Sequence, residues 1–195
     1  MKLLIVIGTV RQNRTTPKLA KWVENNARKL GATEVEVVDL KDYEMPFFDE
    51  PVSPRYNPER KPEAAVKKWL DKVSWADAYI IVTPEYNHSI PGVLKNAIDY
   101  IDWQANRKPS TMATHGTVGG ARAAMHLKEI LSESKTVPIQ NHVAFHGVEN
   151  IDEEGNLSEE LKAKPYGPQS TLEATLAELK WYSDALAEGR AKDAY

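Results

Sequence analysis

Leu3-Leu4-Ile5-Val6-Ile7 is an apolar run with no polar position inside it, and it stops at Gly8. A strand without alternation has no wet face, so helices cover both of its sides, as in a parallel sheet. Ala78-Tyr79-Ile80-Ile81-Val82 repeats the pattern. Apolar positions at helical spacing follow each run: Leu19, Ala20, Val23 and Ala27, then Ala65, Val66, Trp69, Leu70 and Val73 after a start at Pro62. Further on come Val93, Leu94, Ala97, Ile98 and Ile101, then Ala121, Ala124, Met125, Leu127 and Leu131, and last Leu172, Leu176, Leu179, Tyr182 and Leu186. Strands are also expected at 34–40 and 110–114, and a fifth at 136–145 with Gln140-Asn141-His142 as the place for a break. Alternation of strand and helix implies a doubly wound parallel α/β sheet with right-handed crossovers and helices on both faces. The 195 residues contain nothing that resembles an interdomain linker, which predicts one domain over 1–195.

Composition narrows the function. A net charge of −3 with scattered basic residues argues against a nucleic-acid partner. The first apolar run is too short to span a bilayer and no small-residue cleavage site follows it, so a soluble, cytoplasmic protein without a membrane partner is expected. The absence of cysteine excludes disulfides, thiolate nucleophiles, Cys-ligated zinc and dithiol chemistry, and leaves any redox role to a bound cofactor. Five histidines fall in no ligand spacing and no serine sits in a G-x-S-x-G elbow, so neither a metal site nor a hydrolase is indicated.

Three loops carry the chemistry. Thr9-Val10-Arg11-Gln12-Asn13-Arg14-Thr15-Thr16 lacks the G-x-G-x-x-G of a dinucleotide fold and the G-x-x-x-x-G-K of a P-loop. Its hydroxyls, amide and arginines suit a terminal phosphate monoester, hence a mononucleotide; a solvated polar cap is the plainer alternative. Thr16 is placed to cap the helix opened by Pro17, which Gly31 can end. In Pro84-Glu85-Tyr86-Asn87-His88-Ser89-Ile90-Pro91 two prolines stiffen the turn, Tyr86 and His88 offer planar surfaces, Asn87 offers a donor and an acceptor, and Ser89 stands where an N-cap belongs. In His115-Gly116-Thr117-Val118-Gly119-Gly120-Ala121-Arg122 the glycines let backbone approach a ring closely. The long piece at 41–61 reads as functional or interfacial. Asp152-Glu153-Glu154-Gly155-Asn156 lacks calcium-loop spacing and reads as a hairpin-like turn, and the chain is expected to fray from Glu188.

Pro84-Glu85-Tyr86-Asn87, Ser89, Pro91-Gly92 and Leu94-Lys95-Asn96-Ala97-Ile98-Asp99 together resemble the signature of the NADPH-dependent FMN reductase family, flavodoxin-like enzymes that include FMN, quinone, azo and chromate reductases. Gly8-Thr9-Val10-Arg11, Gly116, Gly119-Gly120-Ala121-Arg122-Ala123 and Pro138 extend the likeness. His115 departs from it, standing where relatives tend to have a small residue. The resemblance implies a five-stranded sheet of order 2-1-3-4-5, in which the loops leaving strands one and three bound one crevice at the switch point. It further implies FMN as cofactor, NADPH or NADH as co-substrate, and a quinone, free flavin, azo compound or chromate as small-molecule acceptor, in a homodimer or homotetramer. Thr9, Arg11, Asn13, Thr15 and Thr16 would hold the FMN phosphate. Pro84, Glu85, Tyr86, Asn87 and His88 would lie along the ring, with Gly116, Thr117 and Gly119 on its other side. No catalytic side chain is then obligatory, although Asn87 can tune the flavin; Arg14 and Lys108 are the candidates for a 2′-phosphate contact. A flavodoxin-like electron carrier or an FMN-binding regulatory module is the alternative, and a carrier would show a more acidic face than this chain does.

Overall fold

The computed structural model describes residues 1–32 and 34–192. Strands β1 (Lys2–Ile7), β2 (Glu34–Asp39), β3 (Ala78–Pro84), β4 (Pro109–His115), β5 (Val137–Pro138) and β6 (Val143–Phe145) pair in parallel in the order β2-β1-β3-β4-β5, with β6 also on β4. The helices are α1 (Thr16–Lys29), α2 (Ala64–Trp75), α3 (Gly92–Asp99), α4 (Ala121–Glu133), α5 (Glu159–Ala163) and α6 (Pro168–Lys192). This is the expected flavodoxin-like topology with one amendment: the fifth position holds two short strands, giving six among the described residues. Pro138 has no N–H to offer; Ile139 N–H still reaches Ser110 O at 2.9 Å, and the chain then leaves the ladder until Val143.

The unbroken apolar runs are explained by two cores. Leu4 and Val6 of β1 and Tyr79 and Ile81 of β3 pack with Trp69, Leu94 and Leu127 on one face of the sheet. Leu3, Ile5, Ile7, Ala78, Ile80 and Val82 pack with Trp22, Leu172 and Leu176 on the other. Successive strand residues thus serve opposite cores, and each fully buried large side chain contributes about 1.5–3 kcal/mol. Trp69 is core, as expected, and its Nε1–H donates to Ala97 O at 2.8 Å, fixing α2 to α3.

Several helix details differ from expectation: α3 stops at Asp99, short of Ile101, and Met125 of α4 faces solvent. The second helix starts at Ala64, not Pro62, with extended backbone at Glu63. The last helix continues to Lys192 instead of fraying from Glu188, held by Arg190 Nη1 on Arg107 O at 2.7 Å; the remainder of that expectation, 193–195, lies outside the described residues. At 151–157 the hairpin-like turn is present, closed by an Ile151–Leu157 bridge. The 45–62 segment is bound along α3, through Asn96 Nδ2 to Pro46 O (2.7 Å) and through Arg60, which reaches Glu50, Asp102 and Tyr100 O. Among the described residues no helix is long and apolar enough to cross a membrane.

Register decides where the loops emerge. Ile7 pairs with both Asp39 and Val82, Pro84 with His115, and His115 with Phe145. The loops that follow β1, β3, β4 and β6 therefore leave the sheet at the same, carboxyl edge.

Candidate functional site

At that edge the middle loop is a tight turn. Tyr86 and Ser89 exchange backbone hydrogen bonds of 2.9 and 3.0 Å, and the two residues between them have positive φ, 48° at Asn87 and 67° at His88. These are the features of a type I′ turn, which pushes both side chains outward. The turn claims Ser89, so Ser89 is not the N-cap the sequence suggests: Pro91 occupies that position, and Ser89 Oγ lies 3.1 Å from His126 Nδ1. Thr16 also departs from its expected capping role. It is the first residue of α1, Thr15 precedes it without a side-chain cap bond, and Thr16 Oγ1 sits 2.9 Å from His115 Nε2. Thr16 has exchanged a local cap for a partner on β4, and Ser89 is held by its own turn and by His126 of α4.

Such partners lock the three loops together. Thr9 Oγ1 and Tyr86 OH are 3.0 Å apart, joining the first loop to the second. Glu85 N–H donates to His115 O at 2.9 Å. The Glu85 carboxylate accepts from Arg122 N–H (2.9 Å), Ala123 N–H (3.4 Å) and Arg122 Nη1 (2.7 Å), and so caps α4. Burial alone would raise the Glu85 carboxyl, but the Arg122 and backbone hydrogen bonds outweigh it and hold the group below its ordinary range. Of the residues named from the sequence, then, Thr9, Thr16, Glu85 and Tyr86 spend their side chains on the frame. Pro84 is buried at the end of β3, and Gly119 is buried beneath the third loop beside half-buried Gly116. Arg11, Asn13, Thr15, Asn87, His88 and Thr117 face outward.

The outward set fits a phosphate. Among the described residues the Arg11 guanidinium has no hydrogen-bond or ion-pair partner, and it stands with the Asn13 amide and Thr15 hydroxyl ahead of the fourteen-residue α1. An unpaired cation, neutral donors and a helix N-terminus together suit a phosphate dianion. Arg14 is different: its guanidinium is held by Asp39 and by the Thr9 carbonyl, and its side chain is 11% exposed. Lys108 precedes β4 at the opposite edge, donates to Ser74 O (2.8 Å) and Val73 O (3.2 Å), and is lowered to about 8 by burial and then by Arg190. Neither of the two candidates for a 2′-phosphate is available, a correction to the sequence reading.

His115 is the least expected member of the frame. Burial lowers its imidazole to about 4 from 6.5, so it is neutral at neutral pH. A depressed folded pKa gives stability that is fully present above about 6.5 and is lost as the pH falls toward 4. Urea unfolding at pH 7 and pH 4 should therefore show the parent losing roughly 2–3 kcal/mol more than His115→Gln over that interval. Parallel losses in the two proteins would remove His115 from the acid response.

The sequence pattern that defines NADPH-dependent FMN reductases matches residues 1–150. The chain belongs to the NADPH-dependent FMN reductase family. It is 34% identical over 129 residues to an NAD(P)H-dependent FMN reductase of Schizosaccharomyces pombe, a match covering 66% of this chain and 64% of that protein, just under two thirds. A quinone reductase of Escherichia coli is 32% identical over 138 residues, covering 67% of this chain and 69% of its own length. FerB, a flavoenzyme NAD(P)H:(acceptor) oxidoreductase from Paracoccus denitrificans, shares the fold at a TM-score of 0.70 and 24% identity, over 96% of this chain and 97% of its own. The family match ends just ahead of the 151–157 turn. Within this family member the site residues that sequence reasoning left unassigned are Arg122, Asp39 and Gly120. Arg122 had one signal, its place in the first turn of a helix that follows paired glycines.

Proposed function

We propose that the protein is an FMN-dependent NAD(P)H oxidoreductase that passes electrons to a small acceptor of the quinone, free flavin, azo or chromate type. The observation that carries this reading is the unpaired Arg11 at the start of α1, on the same sheet edge as a locked, outward-facing turn. FMN, when bound, supplies the redox chemistry, taking a hydride from the nicotinamide and delivering two electrons to an acceptor that also takes up protons. Arg11, Asn13 and Thr15 hold the phosphate, while Thr9 and Thr16 support that loop by fixing Tyr86 and His115. Pro84, Glu85, Tyr86, Asn87 and His88 line one side of the ring, largely through backbone groups, and Gly116, Thr117 and Gly119 line the other. The Asn87 amide, presented at the tip of the turn, is the donor best placed to tune the bound group. The active form is a homodimer or homotetramer. Phe47 (85% exposed) and Trp103 (53% exposed) are suitable contacts, whereas Tyr100 is buried within its own chain.

The test is spectroscopic. Protein loaded with FMN and mixed with NADPH in the absence of oxygen should lose the visible flavin absorption, and a quinone added next should restore it. If FMN binds but stays oxidised with NADPH and with NADH, the electron-carrier or regulatory reading replaces this one.

A further inference from the structure

The segment beyond the family match closes against β6 and His146 to form a second concavity beside the loops already described. It measures about 230 Å³ and combines Val143, Leu161 and Pro168 with three polar groups, His146, Lys164 and Tyr166. His146 adjoins the third loop directly: a Cβ placed on Gly119 would lie 2.9 Å from His146 Nε2. The pocket therefore opens beside the carboxyl edge, just past β6.

Its rim is held at a conformational cost. Gly167 N–H donates to Lys164 O at 3.0 Å across Pro165 and Tyr166, and Tyr166 has φ +55°. Proline first and positive φ second describe a type II turn, whose second central position ordinarily takes Gly or Asn because a Cβ is strained there. Here that position carries a tyrosine that is 99% exposed, so no packing offsets the strain. Strain kept in the absence of packing points toward function. Lys164 and His146 are likewise exposed, and neither side chain makes a hydrogen bond or ion pair within the described residues.

A flat ring, an ammonium and an imidazole around an apolar lining suit an aromatic base that carries a phosphate. The volume lies below the roughly 300–1,000 Å³ of pockets that enclose a whole drug-sized ligand, and so suits one end of an elongated one. Arg14 and Lys108 are both engaged elsewhere, whereas Lys164, beside the site, is not. We propose that the pocket takes the 2′-phosphorylated adenosine end of NADPH, with Lys164 and His146 on the 2′-phosphate and Tyr166 stacked on the adenine. The proposal rests on the reading of the protein as a nicotinamide-dependent reductase. It places the choice of NADPH over NADH partly in the 164–166 turn, outside the family match, and partly in His146 at that match's end.

Calorimetric titration of the FMN-loaded protein with adenosine 2′,5′-bisphosphate and with adenosine 5′-monophosphate tests it without turnover. The bisphosphate should bind at least about 10-fold more tightly, as one or two charge-assisted bonds allow. The double variant Lys164→Ala/His146→Gln should equalise the two ligands, and Tyr166→Ala should weaken both by roughly 10-fold through lost stacking. All variants should keep the parent's melting temperature and FMN affinity, since these side chains support nothing else. Equal binding of the two ligands by the parent, a preference that survives in the double variant, or bisphosphate that NADPH fails to displace would each overturn the proposal. A Lys164-dependent preference, displaced by NADPH, in a protein whose flavin is not reduced by NADPH would uphold the pocket and defeat the reductase reading instead.

Discussion

Gly120→Ala is expected to lower stability by roughly 2–4 kcal/mol, or about 5–15 °C in melting temperature for a chain of this size. The added Cβ would lie 2.7 Å from Thr114 Cβ and 2.9 Å from the His115 backbone nitrogen, at a φ of +76°. A flexible side chain could yield, but this neighbour is the backbone of β4, paired to β3 on one side and β6 on the other. Thr114 has no room either: it is fully buried and its Oγ1 donates to Gly119 O at 2.8 Å. Relief would have to come from shifting the end of β4, which carries the His115 bonds to Thr16 and Glu85, so FMN affinity should fall together with stability. Gly92→Ala is the control, because a Cβ there meets nothing within 4 Å at the first residue of α3. Urea midpoints that coincide for Gly120→Ala and the parent would show that the third loop accommodates the methyl group.

Arg11→Ala should weaken FMN binding by about 10- to 100-fold, the loss of a charge-assisted phosphate contact, while moving stability by less than about 0.5 kcal/mol. The asymmetry follows from exposure: among the described residues the Arg11 guanidinium makes no hydrogen bond or ion pair, so its removal strips no partner from the fold. Arg14→Ala should behave in the opposite way, since it strips the partner from Asp39 across the β1 and β2 ends. Quenching of flavin fluorescence on binding, measured beside thermal melts, separates the two arginines. Unchanged FMN affinity in Arg11→Ala would end its assignment to the phosphate, and a large loss in Arg14→Ala with full stability would transfer the role.

What could be read from the sequence, and what could not, divides by distance along the chain. β1 and β3 were legible because burial on both faces leaves an uninterrupted apolar run, and the loops that follow them were legible because their residue types have few other uses. The frame was not. Thr9 and Tyr86 are separated by 77 positions, Thr16 and His115 by 99, and Glu85 and Arg122 by 37, so no local rule could pair them. Local rules assigned Thr16 and Ser89 to helix caps; a tertiary partner overrode the first, and the type I′ turn took the second. The turn at 86–89 hides its type for a similar reason: Asn-His stands where Asn-Gly would have announced a type I′ turn. The split at 137–145 was anticipated from its polar centre, although its consequence, two strands in place of one, depends on β4 offering partners at both ends.

The lateral edges of the sheet bear on how the protein behaves at high concentration. β2, the outermost strand on one side, carries Glu34, Glu36 and Asp39, and on the other side the ladder is cut into pieces of two and three residues with Pro138 in the first. Charge on one margin, and a missing amide followed by an interruption on the other, deny a second chain the continuous row of donors and acceptors that edge-to-edge aggregation requires. Copies of this chain that associate must therefore meet through helices and loops, leaving the parallel sheet itself closed to extension.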